Sequence, residues 1–530
     1  MTYDTVIVGA GSAGCVLANR LSANPAHRLL VLEAGGRDWH PFIHMPAGLA
    51  KLVNNKRINW DFHTEAEANL AHRRLWWPRG KVLGGSSSIN AMCYTRGIPS
   101  DYDEWAALTG DPRWSWSNVL PVFKRGEGNT RGASALHGAD GPLAVADLRH
   151  HNELSDVFIE AAASAGFARN QDFNGPAQEG FGFYQVTQKN GARCSAAVAY
   201  LNPARGRANL TVLTNAPTAR VLIDGTRAVG VEYRHRGRTM RVDAGCVILA
   251  GGAINSPQLL MLSGIGPADH LREHGIAVAR DLRGVGANLQ DHLDICTLVR
   301  STRPVTYDKT NDVAVALEFL LRRSGIGTSN IAEAGGFARS RHATDARCDL
   351  QFHFVPALLD QHGRHRLEGY GYTMHACALR PRSRGTIRLK SADPVAHPAI
   401  QPNYLSDAEG YDLAMLIEGA RLSREIFAQA SFAPYRGEEI FPGAAARSDA
   451  DLETFIRRKA ETIYHPVGTC RMGNGADAVV DSELRVHGVD GLRVVDASVM
   501  PVLIGGNTNA PTMMIADRAG DLLFSAWHAE

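Results

Sequence analysis

The opening stretch TVIVGAGSAGCVLANRL, followed by HRLLVLEAGG, leaves this chain little freedom of fold. Gly9, Gly11 and Gly14 form G-x-G-x-x-G directly after a short apolar strand. The first glycine permits the tight turn, the second lets backbone approach a pyrophosphate, and the third lets the helix pack closely on the strand. Amides and dipole at that helix N-terminus attract phosphates. Glu33 closes the second strand, 19 residues after Gly14, where it can accept a hydrogen bond from a ribose 2′-hydroxyl. Strand, turn, helix, strand and acid arrive in the order a dinucleotide site needs. This segment alone does not separate a flavin dinucleotide from a nicotinamide one.

The rest of the chain bounds the architecture. At 530 residues it is too long for one simple core and calls for two intertwined domains. Strand-like segments NLTVLT, ARVLID, AVGVEYRH and TMRVDAGCVILAGG alternate with turns between about 200 and 250. From about 310 to 440 the texture changes. LQFHFVPALL alternates with period two, placing Leu350, Phe352 and Phe354 on one face, either as sheet core or as the wall of an apolar pocket. His353 and His375 read as interior histidines or pocket residues. A helical pattern runs from about Ala408 to Phe427, and the C-terminal helix carries Ile515, Ala519, Leu522 and Leu523 on one face. The expectation is an α/β fold: a Rossmann-like cofactor domain from residues 1–155, 195–300 and 460–530, with an inserted antiparallel-sheet substrate domain (α+β) from 156–194 and 301–459.

Composition excludes several functions. A formal charge of +2 with scattered basic residues gives no nucleic-acid footprint. No apolar run reaches the roughly 18 residues needed to span a bilayer. The strand pattern begins at Thr5 with no Lys or Arg before it, leaving no room for a cleavable secretory leader. The expected location is cytoplasmic, with peripheral contact at the inner membrane face if the electron acceptor is a quinone. The sequon Asn209-Leu210-Thr211 is then coincidental. Eight cysteines never approach closer than 29 positions, so they read as reduced, buried thiols, and no metal site is expected.

Three further segments narrow the cofactor. WWPRGKVLGGSSSINAMCYTRG places Gly84 and Gly85 before three serines, small residues that let backbone pass close to a flat ring. GAINSPQLLMLSGIG follows the buried strand CVILA, and YHPVGTCRMG precedes LRVVDASVMP and GGNTNAPTMMIA. Together they resemble the glucose–methanol–choline family of FAD-dependent oxidoreductases, from Tyr3 to about Leu523. The resemblance implies FAD. Asp496 and Ala497 would meet the pyrophosphate and ribityl region, Val221 would pair with adenine through its backbone, and Asn90, Ala91, Met92 and Cys93 would run along the isoalloxazine ring. It also places Ser12, Ala13, Ala34, Arg79, Gly84, Gly85, Ser87, Ala250, Asn507, Thr508, Pro511 and Thr512 at the cofactor. Some members carry a flavin-linked histidine where this chain has Ile89, which has no nucleophilic atom. Non-covalent FAD is therefore expected.

Alcohol oxidation needs a base for the hydroxyl proton, a donor for the developing alkoxide and a nearby hydride acceptor. His465 in YHPVG is the candidate base, since imidazole accepts a proton near neutrality. Asn509 in GNTNAPT is the candidate alkoxide partner, and Asn also suits a helix cap. Pro511 suits the first turn of a helix, whose positive end would favour an anionic reduced flavin. The resemblance implies oxidation of a primary alcohol, aliphatic or aryl, with electrons passed to a quinone or other carrier. The alternatives are an oxidase that uses O2 and makes peroxide, a choline dehydrogenase, a non-redox lyase or photodecarboxylase, and a redox-silent binding protein.

Overall fold

The computed structural model describes residues 2–52 and 54–529, without the side chains of 50, 362, 366 and 526–529. The strand Thr2–Val8 is buried from Thr5 onward, and its β-branched residues suit a central parallel strand covered on both faces. It turns at Gly9 (φ 103°) into the helix Ser12–Leu21 and returns as the fully buried strand Leu29–Leu32. These strands sit in a seven-stranded sheet ordered Leu210–Leu213, Leu29–Leu32, Thr2–Val8, Arg238–Leu249, Arg227–His235, Thr218–Asp224. Leu492–Val494 adds to it, pairing parallel with the end of Arg238–Leu249. The parallel strands open toward one side, where the glycine turn lies and where open α/β sheets bind ligands.

The second sheet is antiparallel, ordered Arg436–Phe441, Leu293–Ser301, Gly371–Ala378, Leu350–Val355, Ala334–Ala338, Gly180–Phe183, with Glu461–Thr462 pairing Leu293–Ser301. The boundary expected at residue 300 is corrected here. Leu293–Ser301 hydrogen-bonds along Gly371–Ala378, so residues 293–300 go with the second sheet, as do Glu461 and Thr462.

The alternation of Leu350–Val355 sorts its two faces. Leu350, Phe352 and Phe354 are wholly buried and form core, not pocket wall. Phe354 stacks on Phe158 of the helix Glu153–Ser164 (centroids 4.8 Å apart) and meets Phe427 of the helix Tyr411–Ala428. The opposite face carries His353 and Val355, and with His375 from the neighbouring strand these line the cavity described below. The C-terminal helix Asn509–Ala529 buries Ile515, Ala519, Leu522 and Leu523 and packs on Ser12–Leu21. Arg20 fastens the pair through Asp517 and Asp521.

Phe354→Ala removes a large side chain from a packed aromatic cluster. It is expected to cost about 3–5 kcal/mol of stability, read by denaturant unfolding, while KM for the alcohol stays unchanged. A raised KM in a variant of native stability would return this face to the pocket.

Candidate active site

A cavity of about 490 Å³ runs from the glycine turn to His465, walled by the ends of the first sheet and by His353, Val355 and His375 of the second. At its nucleotide end two glycine loops meet backbone to backbone. A Cβ on Gly85 (φ 55°) would lie 2.7 Å from the Cα of Gly11, and one on Gly14 would lie 1.8 Å from the carbonyl oxygen of Gly9. Glu33 accepts the N–H of Ala10 (2.9 Å) and of Gly35 (2.8 Å), and burial raises its pKa to about 7. Asp496 accepts the N–H of Gly252 and the hydroxyl of Ser256, and burial raises its pKa too.

The cofactor residues expected from sequence line this cavity, with five exceptions. Gly14, Gly84 and Ser87 shape the loops from behind; the Ser87 hydroxyl donates to the carbonyl of Gly84 and accepts the N–H of Ala196. Pro511 is buried in the first turn of the last helix. Val221 donates its N–H to the Ser263 hydroxyl, and Pro217 and Thr218 form the wall at that end instead. The close backbone approaches and the buried acid fit an adenine dinucleotide, and the small-residue loop from Asn90 to Cys93 leaves room for a flat ring. Ile89 lines the same wall.

His465 is held from its backbone. Tyr464 sits in the left-handed region (φ 73°), a strained conformation for a bulky residue, and so swings the next side chain into the cavity. Its carbonyl accepts from Arg79 (2.9 Å), and the N–H of His465 donates to Asp291 (2.7 Å). Asp291 also accepts the hydroxyls of Thr462 (2.5 Å) and Tyr404. It is fully buried, which raises its pKa to about 6.

The ring of His465 is locked at both nitrogens. His292 places Nε2 3.2 Å from the carbonyl oxygen of Leu379, which can only accept, so His292 carries its proton there. Its Nδ1 then accepts from Nδ1–H of His465, 2.9 Å away. That leaves His465 Nε2 as a lone pair, 3.2 Å from the amide nitrogen of Asn507. Asn507 is oriented independently: its oxygen accepts from Gln351 (3.0 Å) and Thr95 (3.1 Å), so its NH2 faces the histidine. Burial, then the neighbouring His292, His353 and Arg79, hold the His465 pKa well below its usual value.

The amide beside the base thus belongs to Asn507. Asn509, expected as the alkoxide partner, also lines the cavity, and its side-chain oxygen accepts the Ser12 hydroxyl (2.8 Å), tying the last helix to the glycine-turn helix. The two asparagines flank one threonine, Asn507 in the loop and Asn509 at the start of the last helix, and spacing could not choose between them.

Other residues of the site were not anticipated. Asp291 and His292 stand together in NLQDHL, where an acid beside a histidine between apolar residues was the local signal. Arg193 is buried without exposure, donating to the carbonyls of Ile43, Ser87 and Asn90 and to the Asn90 side chain, which fixes the loop along the cavity. Its burial lowers its pKa to about 9. Cys296, distant in sequence from other cysteines, lies with Asp294 and His375, their ligand atoms within 4.8 Å of one another. The His375–Asp294 hydrogen bond (2.7 Å) orders that group, an arrangement that cysteine spacing could not reveal.

A two-glycine-loop dinucleotide cradle opening onto a neutral histidine and an amide defines a flavin-dependent oxidoreductase. Comparison with known proteins places it more narrowly. The N-terminal GMC oxidoreductase model matches residues 3–294 and the C-terminal one residues 381–516. The chain belongs to the glucose–methanol–choline oxidoreductases, FAD-dependent enzymes. It is 51% identical to an alcohol dehydrogenase (acceptor) of Pseudomonas putida, over 98% of this chain and 95% of that one. To the mitochondrial choline dehydrogenase of Homo sapiens it is 47% identical, over 98% and 89%. The solved structure of pyridoxine 4-oxidase from Mesorbium loti superposes with a TM-score of 0.90 at 34% identity, covering 99% of each chain.

With its pKa lowered, His465 stays neutral as pH falls through 6.5, and the base form is lost only further down. The pH profile of kcat/KM is expected to be flat across 6.5, with its acid limb below. His292→Asn, which can still accept from Nδ1–H, is expected to keep more turnover than His292→Leu; equal losses would show that the tautomer lock is unimportant.

Proposed function

We propose that this enzyme oxidises a neutral primary alcohol, aliphatic or aryl, to its aldehyde, using FAD held without a covalent bond and passing the electrons to a quinone or similar carrier. The observation that carries the reading is the lone pair on His465 Nε2, presented beside the NH2 of Asn507 inside the cofactor cavity. The hydroxyl proton goes to Nε2, and Asn507 donates to the oxygen it leaves behind. FAD, held by the glycine turn, Glu33 and the loop from Asn90 to Cys93, would supply the acceptor for the carbinol hydrogen and its electron pair. His292 accepts from the Nδ1–H of the resulting imidazolium, while Arg193 holds Asn90 and its loop along the cavity.

The cavity's charge supports a neutral substrate over choline. Its lining carboxylates, among the described residues, are Glu33 and Asp496, both at the nucleotide end. Trp76, an aromatic candidate for an ammonium group, already has Arg364 over its ring at 4.7 Å. Dehydrogenation rather than oxygen reduction is supported by the name of the Pseudomonas putida relative. Non-covalent attachment is supported by Ile89, whose hydrocarbon side chain lines the wall where a linking histidine would stand. No described helix is long and apolar enough to cross a membrane, so contact with a quinone-bearing bilayer would be peripheral.

His465→Ala is expected to lower kcat by about 10²–10⁴-fold with FAD content preserved. Asn507→Ala should lose about 10²-fold in kcat, whereas Asn509→Ala should chiefly weaken FAD retention. If Asn509→Ala were the slower catalyst at equal flavin content, the assignment would be reversed. Acid precipitation is expected to leave the flavin in the supernatant. Alcohol-dependent dye reduction should proceed without oxygen; peroxide formed in step with aldehyde in air would instead make the enzyme an oxidase.

A further inference from the structure

The helix Asp312–Arg322 is built inside out. Val313, Leu317, Leu320 and Leu321 share one face at i, i+4, i+7 and i+8, yet they are 68%, 53%, 63% and 79% exposed. They are half of the large apolar residues left exposed among the described side chains. Phe319, on the opposite side, is the helix's buried residue and its anchor. Asn311 caps the helix by accepting the N–H groups of Val313 and Ala314, so the helix is well formed although most of its apolar surface meets solvent.

Its position is as informative as its pattern. Lys51 binds Asp312 (2.6 Å), joining it to the short helix Leu49–Leu52, whose Leu49 and Leu52 line the cavity. On its C-terminal side the chain passes through Ile326–Thr328 to Asn330, Ile331 and Ala332, which also line the cavity. The turns Pro46–Gly48 and Ile326–Thr328 pack on each other. The apolar helix therefore stands at the rim of the substrate end.

The rim is also cationic. Residues 37–58 and 309–323 together hold seven Lys and Arg against three acids, a larger excess than the +2 of the whole chain. Lys51 is paired with Asp312 and Lys56 with Asp61, and Asp38 is buried, which leaves Arg37, Arg57, Lys309, Arg322 and Arg323 against Glu318.

We propose that the helix Asp312–Arg322 docks this enzyme on an anionic phospholipid surface, with its four large apolar side chains among the acyl chains and the flanking cations at the headgroups. An in-plane helix with an apolar face and basic flanks binds membranes this way. A second copy of the chain fits less well. Eleven residues at about 1.5 Å rise and about 10 Å width cover roughly 160 Å², against about 800 Å² per partner in a stable interface. Docked so, the cavity rim faces the phase in which apolar alcohols and quinones dissolve. The proposal rests on this surface alone and stands whichever acceptor the flavin uses.

The test is co-sedimentation of the purified holoenzyme with phosphatidylcholine vesicles, with and without phosphatidylglycerol. Binding to the anionic vesicles should exceed binding to the neutral ones by at least about tenfold and weaken with salt. Leu317→Glu combined with Leu321→Glu should abolish it while dye-linked turnover of a water-soluble alcohol persists, which shows the variant is folded. Equal binding by that variant, or no preference for anionic vesicles, would overturn the proposal. So would light scattering that finds a wild-type dimer and a monomeric variant, which would assign the face to a second copy.

Discussion

The buried carboxylate of Asp291 is the joint on which the site depends. It precedes the strand Leu293–Ser301 and gathers the Tyr404 hydroxyl with the Thr462 hydroxyl and the His465 N–H, groups from two segments far apart in sequence. Removing a carboxylate from water costs several kcal/mol unless its oxygens are satisfied. Here every donor it finds also fixes a neighbouring segment. Because the N–H of His465 is held, the chain can tolerate the left-handed Tyr464 just before it, and that turn aims the imidazole. The second sheet and the catalytic segment are thus positioned by one buried acid that never touches substrate.

Legibility of the sequence followed the range of the interactions. The glycine turn, Glu33 and the alternating strands are local patterns, each readable within about thirty residues, and they appear where the pattern put them. The Leu350–Val355 strand was readable as a strand, but which face met the cavity depended on the helices Glu153–Ser164 and Tyr411–Ala428, remote in sequence. The strand Leu293–Ser301 was drawn with the wrong domain for a similar reason: its partners lie about eighty residues on, and nothing in its own residues names them. At the site, the YHPVG motif pointed to His465, and that side chain lies in the cavity wall. Which of Asn507 and Asn509 sets its amide beside that ring was not readable from spacing, because it depends on Thr95 and Gln351 on one side and Ser12 on the other.

These contacts set two amides two residues apart in different surroundings. Asn507 has its oxygen saturated by two donors, which leaves only its NH2 for the cavity. Asn509 has its oxygen taken by the first helix, so it reports on the relative position of the Ser12–Leu21 and Asn509–Ala529 helices. The same helix pair is bound by Arg20 and by the burial of Ile515, Ala519 and Leu523. The apolar face of the last helix is consumed in packing on the glycine-turn helix. The apolar face that remains open lies instead on the helix Asp312–Arg322.

The lock on His465 also constrains the order of events. The carboxylate closest to it, Asp291, is spent on the backbone N–H, and the groups around the ring that perturb it are histidines and Arg79, which all disfavour a positive imidazole. Such a base is weak, so a full proton transfer that left an alkoxide waiting beside an imidazolium would be uphill by more than in water. The geometry offers compensation at the imidazolium, whose Nδ1–H His292 accepts, and at the substrate oxygen, where the NH2 of Asn507 would strengthen its hydrogen bond as charge develops. In the proposed reaction, proton transfer would then be favourable chiefly when the hydride departs in close succession, since loss of the hydride discharges the alkoxide to a neutral aldehyde. A site that withholds a carboxylate from its base, yet fixes the tautomer at both nitrogens, is suited to coupling the two transfers rather than to stabilising the ion pair between them.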